Sequence, residues 1–216
     1  MRCITTIIFD MDGVLFDTET FYYHRREKFL AEKGISIKHL PASVFIGGNM
    51  KQLWPDILGD DYEQWDIGQL QEDYASYKRH HPLPYQDLLF PDTRESIQRL
   101  YDNGYRLGLA SSSSKHDILQ ALAATNLRQY FSVVLSGEEF PMGKPHPAIY
   151  HEASRQLGEK REHILVVEDS EKGIAAAVAA GLQVWAIKDR QFGMNQSQAN
   201  RMIDNLLQLV GELLVP

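Results

Sequence analysis

The stretch Ile7-Ile8-Phe9-Asp10-Met11-Asp12-Gly13-Val14-Leu15 decides how the rest of the chain is read. An apolar run rich in strand formers stops at two carboxylates two residues apart, followed by glycine. On a strand, residues i and i+2 point to the same side, so Asp10 and Asp12 project together from the C-terminal end. Open α/β sheets bind their ligands at that edge. Two acids there serve packing poorly. They suit a nucleophile and a proton donor around a cation, the plainer alternative being a strand end that faces water.

Outward from this strand the pattern changes. From about Thr20 to His81 the signals are helical and no strand is expected. Leu70, Tyr74 and Tyr77 fall on one helical face. Asn49 is placed to cap a helix carrying Leu53, Trp54, Ile57 and Leu58, with Pro55 as a kink or an earlier start. Gly34 reads as a helix stop, and Pro82-Leu83-Pro84 as a stiff linker.

Beyond Phe90 strands and helices alternate. Strands are expected over Arg106–Ala110, Val133–Leu135, Ile164–Val167 and Val184–Ile187. Helices are expected over Lys115–Ala124, Pro147–Leu157, Glu171–Ala180 and, as a closing amphipathic element, Ala199–Val210. This alternation implies a parallel sheet with right-handed crossovers. The fold expected is a Rossmann-like parallel sheet flanked by helices, with residues 1–16 and 85–216 as its α/β core. Residues 17–84 form a small α-helical cap domain inserted after the first strand. Such an insert emerges at the ligand edge and is placed to cover Asp10 and Asp12.

Composition narrows the function. The 216 residues are 44% hydrophobic and carry a net charge of −7, so nucleic acid and anionic membranes are poor partners. The single cysteine, Cys3, cannot form an internal disulfide, and no apolar run approaches a membrane span. A reducing cytoplasm and a monomer are expected.

Three further polar clusters sit at or after predicted strand ends. Ser111 to Ser114 precede a helix, where hydroxyls and helix N–H groups bind an anion or one serine caps the helix. Gly143-Lys144-Pro145-His146-Pro147 holds Lys144 in a defined place near a phosphate or the nucleophilic carboxylate, unless it is an exposed loop lysine. Glu168 and Asp169 end the fourth strand and, with Asp10, supply the hard oxygen ligands that Mg²⁺ prefers. A parallel sheet gathers all of these at one edge. Carboxylates, a cation site, a hydroxyl and an ammonium make a phosphoryl-transfer inventory.

At this point the chain resembles the haloacid dehalogenase superfamily, in its branch of β-phosphoglucomutases and sugar-phosphate phosphatases with a helical cap. The motifs that carry the resemblance are Phe9-Asp10-Met11-Asp12-Gly13, Ala110-Ser111-Ser112, Gly143-Lys144-Pro145 and Glu168-Asp169, in that order. The resemblance implies that Asp10 is the nucleophile and forms an aspartyl-phosphate. It implies that Asp12 is the acid and base, and that Ser111, Ser112 and Lys144 bind the phosphoryl oxygens. It also implies that Asp10, the Asp12 carbonyl, Glu168 and Asp169 hold Mg²⁺. The expected activity is a Mg-dependent phosphatase acting on a small phosphorylated metabolite such as a sugar phosphate.

The alternative is a mutase of the β-phosphoglucomutase type. That pattern places a histidine five residues after the aspartate of its aspartate-threonine pair, and an arginine after a cap glycine. Here Asp17-Thr18 is followed by Tyr22, with the nearest histidine at His24. Gly47-Gly48 is followed by Asn49-Met50-Lys51, without arginine. These departures favour a phosphatase. Thr18, Tyr22, Gly48, Lys51 and Lys78 are candidate substrate contacts in the cap; Lys51, Arg25, Lys78 or His80 would serve a distal phosphate, the plainer expectation for Arg25-Arg26 being a solvated helix face. A non-catalytic binding module on this fold would be favoured had Asp10 or Asp12 been replaced; both are present.

Overall fold

The structure is a computed structural model that describes residues 4–47 and 50–214. Strand β1 (Thr6–Phe9) lies in the middle of a six-stranded parallel sheet. With β2 (Arg106–Ser111), β3 (Phe131–Ser136), β4 (Ile164–Glu168), β5 (Gln183–Ile187) and β6 (Arg201–Ile203), the order is β3-β2-β1-β4-β5-β6. Phe9 registers with Leu109 on one side and Val167 on the other. The strand order reverses at β1, which opens a crevice at the C-terminal ends of β1, β2 and β4.

The strand period explains the layers. Ile7 and Phe9 face one apolar cluster with Ile97, Leu100, Ile118 and Leu122, while Ile8 faces the other with Tyr150, Ala153 and Ile174. The first of these helix layers contains α5 (Thr93–Asp102), α6 (Lys115–Ala124) and α9 (Leu206–Leu214); the second contains α7 (Ala148–Leu157) and α8 (Glu171–Ala179). Caps set where two of these helices begin. Ser114 Oγ accepts from Asp117 N at 3.1 Å, and Ser170 Oγ from Gly173 N at 3.0 Å.

Between β1 and the short α4 (Tyr85–Leu88) lie α1 (Glu19–Glu32), α2 (Met50–Leu58) and α3 (Ile67–His80), with no strand among the described residues. These helices gather around their own apolar cluster, which includes Phe29, Leu30, Phe45, Trp54, Leu70 and Tyr74. Asp66 caps α3 by accepting from Gln69 N, and its last turn carries Lys78, Arg79 and His80, as the helix dipole favours. Helix α2 runs on through the exposed Pro55; the expected Asn49 cap lies outside the described residues. The two chain crossings between cap and sheet run side by side. Asp17 N donates to Leu88 O, Phe90 N donates to Leu15 O, and Phe16 and Leu89 form an antiparallel bridge.

Two expectations are corrected. The closing segment is not one helix over Ala199–Val210: it contains the sixth strand, Arg201–Ile203, and the helix starts at Leu206. Asn205 is the break, its side chain accepting from Gln208 N at 2.9 Å. Arg25 and Arg26 are not on a solvated face; they are 6% and 7% exposed. They share the α1 stripe of Tyr22, Phe29 and Leu30, at the spacing that turns one side of a helix inward. No helix among the described residues is long and apolar enough to cross a membrane.

Candidate active site

Asp10 follows the last residue of β1, and its backbone N–H still joins the sheet by donating to Val167 O. Its side chain meets Lys144, whose buried ammonium donates to Asp10 Oδ1 at 2.6 Å, Glu168 Oε1 at 2.6 Å and Ala110 O at 3.0 Å. All three of its protons are thereby committed. Burial alone would strip Lys144 of its charge; Asp10 and Glu168 outweigh it and hold the ammonium well above the usual lysine range. Glu168 is the fixed end of this network. Lys144 and Tyr150 OH reach its Oε1, while Oε2 accepts from the Asp169 and Ser170 backbone and from Ser170 Oγ. Burial pushes its carboxyl up, but Lys144 and these bonds bring it below the usual range.

Asp12 sits in a ring of hydroxyls. Thr18 donates to Oδ1 at 2.6 Å, and Ser113 and Ser111 donate to Oδ2 at 2.7 and 3.2 Å. Burial raises its pKa more than these bonds lower it, so Asp12 keeps its proton to higher pH than an ordinary aspartate. This is the condition of a general acid.

Oxygens of Asp10, Glu168 and Asp169 lie within 4.8 Å of one another, a spacing open to a metal ion. Burial raises Asp10 and Asp169 well above the usual aspartate range, and neighbouring carboxylates add to it. Among the described residues no hydrogen bond reaches Asp10 Oδ2 or the Asp169 carboxylate, so hard oxygen donors remain available. Gly13 keeps the space clear: at φ +76° a Cβ there would fall inside the Asp169 carboxylate. The donor set fits Mg²⁺.

The remaining candidates divide. Thr18 faces Asp12 rather than open space. Ser112 Oγ is bonded to the cap, donating to Gly47 O at 2.9 Å; Ser113, next to it, is the hydroxyl that meets Asp12. Tyr22, Lys51 and Lys78 line a cavity of about 270 Å³ between cap and sheet. Lys78 there donates to Asp117, whereas Lys51 is exposed. Tyr22 and Ser113 also line a smaller cavity of about 20 Å³ against Asp10 and Asp12, room for about one water. Gly48 lies outside the described residues.

Several participants escape a reading of the sequence. Tyr150 in α7 and Ser170, the cap of α8, complete the Glu168 network, and neither is a candidate in the sequence reading. Glu19 is buried in the small cavity, its carboxyl pushed up to about 8 by burial and Asp12. Arg26 lines both cavities. The stripe shared by Tyr22, Arg25, Arg26 and Phe29 is the one signal that points inward.

A doubly wound parallel sheet with a helical cap over its β1 crevice defines a capped α/β enzyme. Residues 7–187 match the haloacid dehalogenase-like hydrolases, and the chain belongs to that family. It is 30% identical to a phosphorylated carbohydrates phosphatase of Thermotoga maritima, covering 82% of each chain. It is 29% identical to hexitol phosphatase B of Escherichia coli (strain K12), covering 84% of this chain and 82% of the relative. The fold also matches a β-phosphoglucomutase structure from Clostridium difficile, with a TM-score of 0.81 at 23% identity over 95% of this chain and 93% of that one. The protein is a hydrolase of the phosphatase kind.

Proposed function

We propose that this protein is a Mg²⁺-dependent phosphatase of a small phosphorylated metabolite, a sugar phosphate in the first instance, working through an aspartyl-phosphate on Asp10. The observation that carries this is the pairing of Asp10, held by Lys144 at 2.6 Å, with Asp12, held in a ring of hydroxyls two residues on.

In the first half-reaction Asp10 attacks phosphorus and the bond to the substrate oxygen breaks, while Asp12 gives its proton to the leaving alkoxide. In the second, Asp12 takes a proton from water as it attacks the phosphorylated Asp10, and phosphate leaves. Lys144 orients the nucleophile and neutralises charge on the phosphoryl group, and the Ser111–Ser113 segment lies where its oxygens arrive. Asp10, Asp169 and the Asp12 carbonyl, with Glu168 behind them, would hold Mg²⁺, which would supply positive charge to offset that of the phosphoryl group. Residues 17–84 act as the lid that keeps bulk water out of this chemistry.

Tyr22, where the mutase pattern has histidine, supports hydrolysis over isomerisation. A reducing cytoplasm is the setting we infer from the single cysteine, with a monomer as the expected assembly. The test is phosphate release with Mg²⁺ across sugar and nucleotide monophosphates, run beside conversion of β-glucose 1-phosphate to glucose 6-phosphate with a bisphosphate primer. Release of free phosphate that Asp10→Asn abolishes, with the fold kept, is expected. Isomer conversion without phosphate release would overturn hydrolysis, and near-normal turnover in Asp10→Asn would overturn the nucleophile.

A further inference from the structure

Arg26 stands apart from the machinery above. Its side chain is buried, yet its Nε and Nη1 have no hydrogen-bond partner. Glu19, on the wall of the same small cavity, feels its charge without forming an ion pair with it, and no other carboxylate among the described residues pairs with it. A guanidinium removed from water and left unpaired is costly, so a buried one is normally met by an anion.

What holds it is aromatic. The guanidinium carbon lies 5.5 Å from the centre of the Tyr22 ring and 5.8 Å from that of Phe45. Such contacts satisfy no N–H group, and a guanidinium's in-plane N–H groups form a fork suited to a carboxylate or phosphate. Its position joins the two cavities, since it lines both the space against Asp10 and Asp12 and the larger one between cap and sheet. The other cations on the larger wall are differently placed: Lys78 and Arg25 both reach Asp117, and Lys51 is exposed.

We propose that Arg26 binds a second anionic group on the substrate, a carboxylate or a distal phosphate, so that the natural substrate is the phosphomonoester of an already anionic metabolite. This rests on the phosphatase reading and narrows it: a sugar-acid phosphate or a bisphosphate fits, and a neutral polyol phosphate leaves the guanidinium unpaired.

The test is binding, read by isothermal titration calorimetry on the full chain carrying Asp10→Asn, with Mg²⁺ present. Two pairs that differ in one anionic group are compared: 3-phosphoglycerate with glycerol 3-phosphate, and fructose 1,6-bisphosphate with fructose 6-phosphate. In at least one pair the anionic member should bind about tenfold tighter or more, the worth of a charge-assisted hydrogen-bond pair. Adding Arg26→Gln should bring that preference to within about threefold of unity. The pair that responds tells carboxylate from phosphate. If Arg26→Gln does not fold, Arg26→Lys replaces it, with a loss of preference of about threefold or more expected because an ammonium lacks the fork. A smaller preference in both pairs, or one that survives these substitutions, overturns the proposal. Failure of the phosphatase reading shows separately, as wild-type protein that releases phosphate from no ester.

Discussion

Lys78 Nζ, in the last turn of cap helix α3, donates to Asp117 Oδ2 in the first turn of core helix α6 at 3.2 Å. Arg25 from α1 approaches the same oxygen at 3.9 Å. One core carboxylate thus engages two cap helices over the rim of the cleft.

Asp117→Ala should loosen the cap and leave both cations without their counter-charge. A fall in kcat/KM of about tenfold is expected, with a loss of stability on the order of 1–3 kcal/mol because the pair is largely buried. Steady-state kinetics and thermal melts check this. Burial pushes the Asp117 carboxyl up, but Lys78 and Arg25 outweigh it and hold it below the usual aspartate range. Its contribution is therefore complete above the unfolded value of 3.8, and is lost only as pH falls through the depressed folded value. A cap that opens between pH 7 and 5 would contradict this.

Lys144→Met removes the positive charge between Asp10 and Glu168. The two buried carboxylates then repel, and their folded pKa values rise. The variant should lose activity by about a thousandfold or more. Its stability deficit should be small near pH 5 and grow toward pH 8, since the folded state now holds protons that the unfolded state releases. Melting temperatures of variant and wild type across that range decide it; a constant deficit would show that Lys144 acts through packing alone.

Asp12→Asn cannot protonate a leaving alkoxide. Turnover of alkyl phosphates should fall by about 10³-fold or more, with a smaller loss on p-nitrophenyl phosphate, whose leaving group needs no proton. Equal losses on both would assign Asp12 a structural or metal-holding part instead.

Glu19→Gln bears on metal-free stability. The Glu19 carboxyl is raised from 4.5 to about 8 by burial and by Asp12. A raised acid binds its proton more tightly when folded, so stability declines as pH rises through that window. The neutral amide should remove that slope, making the variant the more stable of the two at pH 8.5 by a margin on the order of 3 kcal/mol. Chemical denaturation without metal at pH 5 and pH 8.5 measures it.

The sheet and its ligand edge were legible because apolar runs ending in Asp10-Met11-Asp12 and Glu168-Asp169 carry their own punctuation. The helical insert was legible from its missing strands. What escaped was set by partners distant in the chain. Arg26 looks like surface until Phe45 and Tyr22 close around it, and Tyr150 is a packing residue until Glu168 is known to end the adjacent strand. The sixth strand, only three residues long, was hidden inside an apolar stretch whose single warning is Asp204-Asn205, a turn and cap signal.

The side-by-side crossings at Phe16 and Leu89 have a consequence for how such a protein diversifies. Because the insert leaves and re-enters the sheet-bearing half at one paired point, an exchange of everything between them perturbs no strand register. The carboxylates that follow β1 and β4 and the cavity wall that the insert supplies are therefore largely separable inheritances, with Thr18 the exception. A foreign lid grafted at these two residues would bring its own cavity wall onto the same sheet, and would have to keep a hydroxyl at Thr18 to hold Asp12 as it is held here.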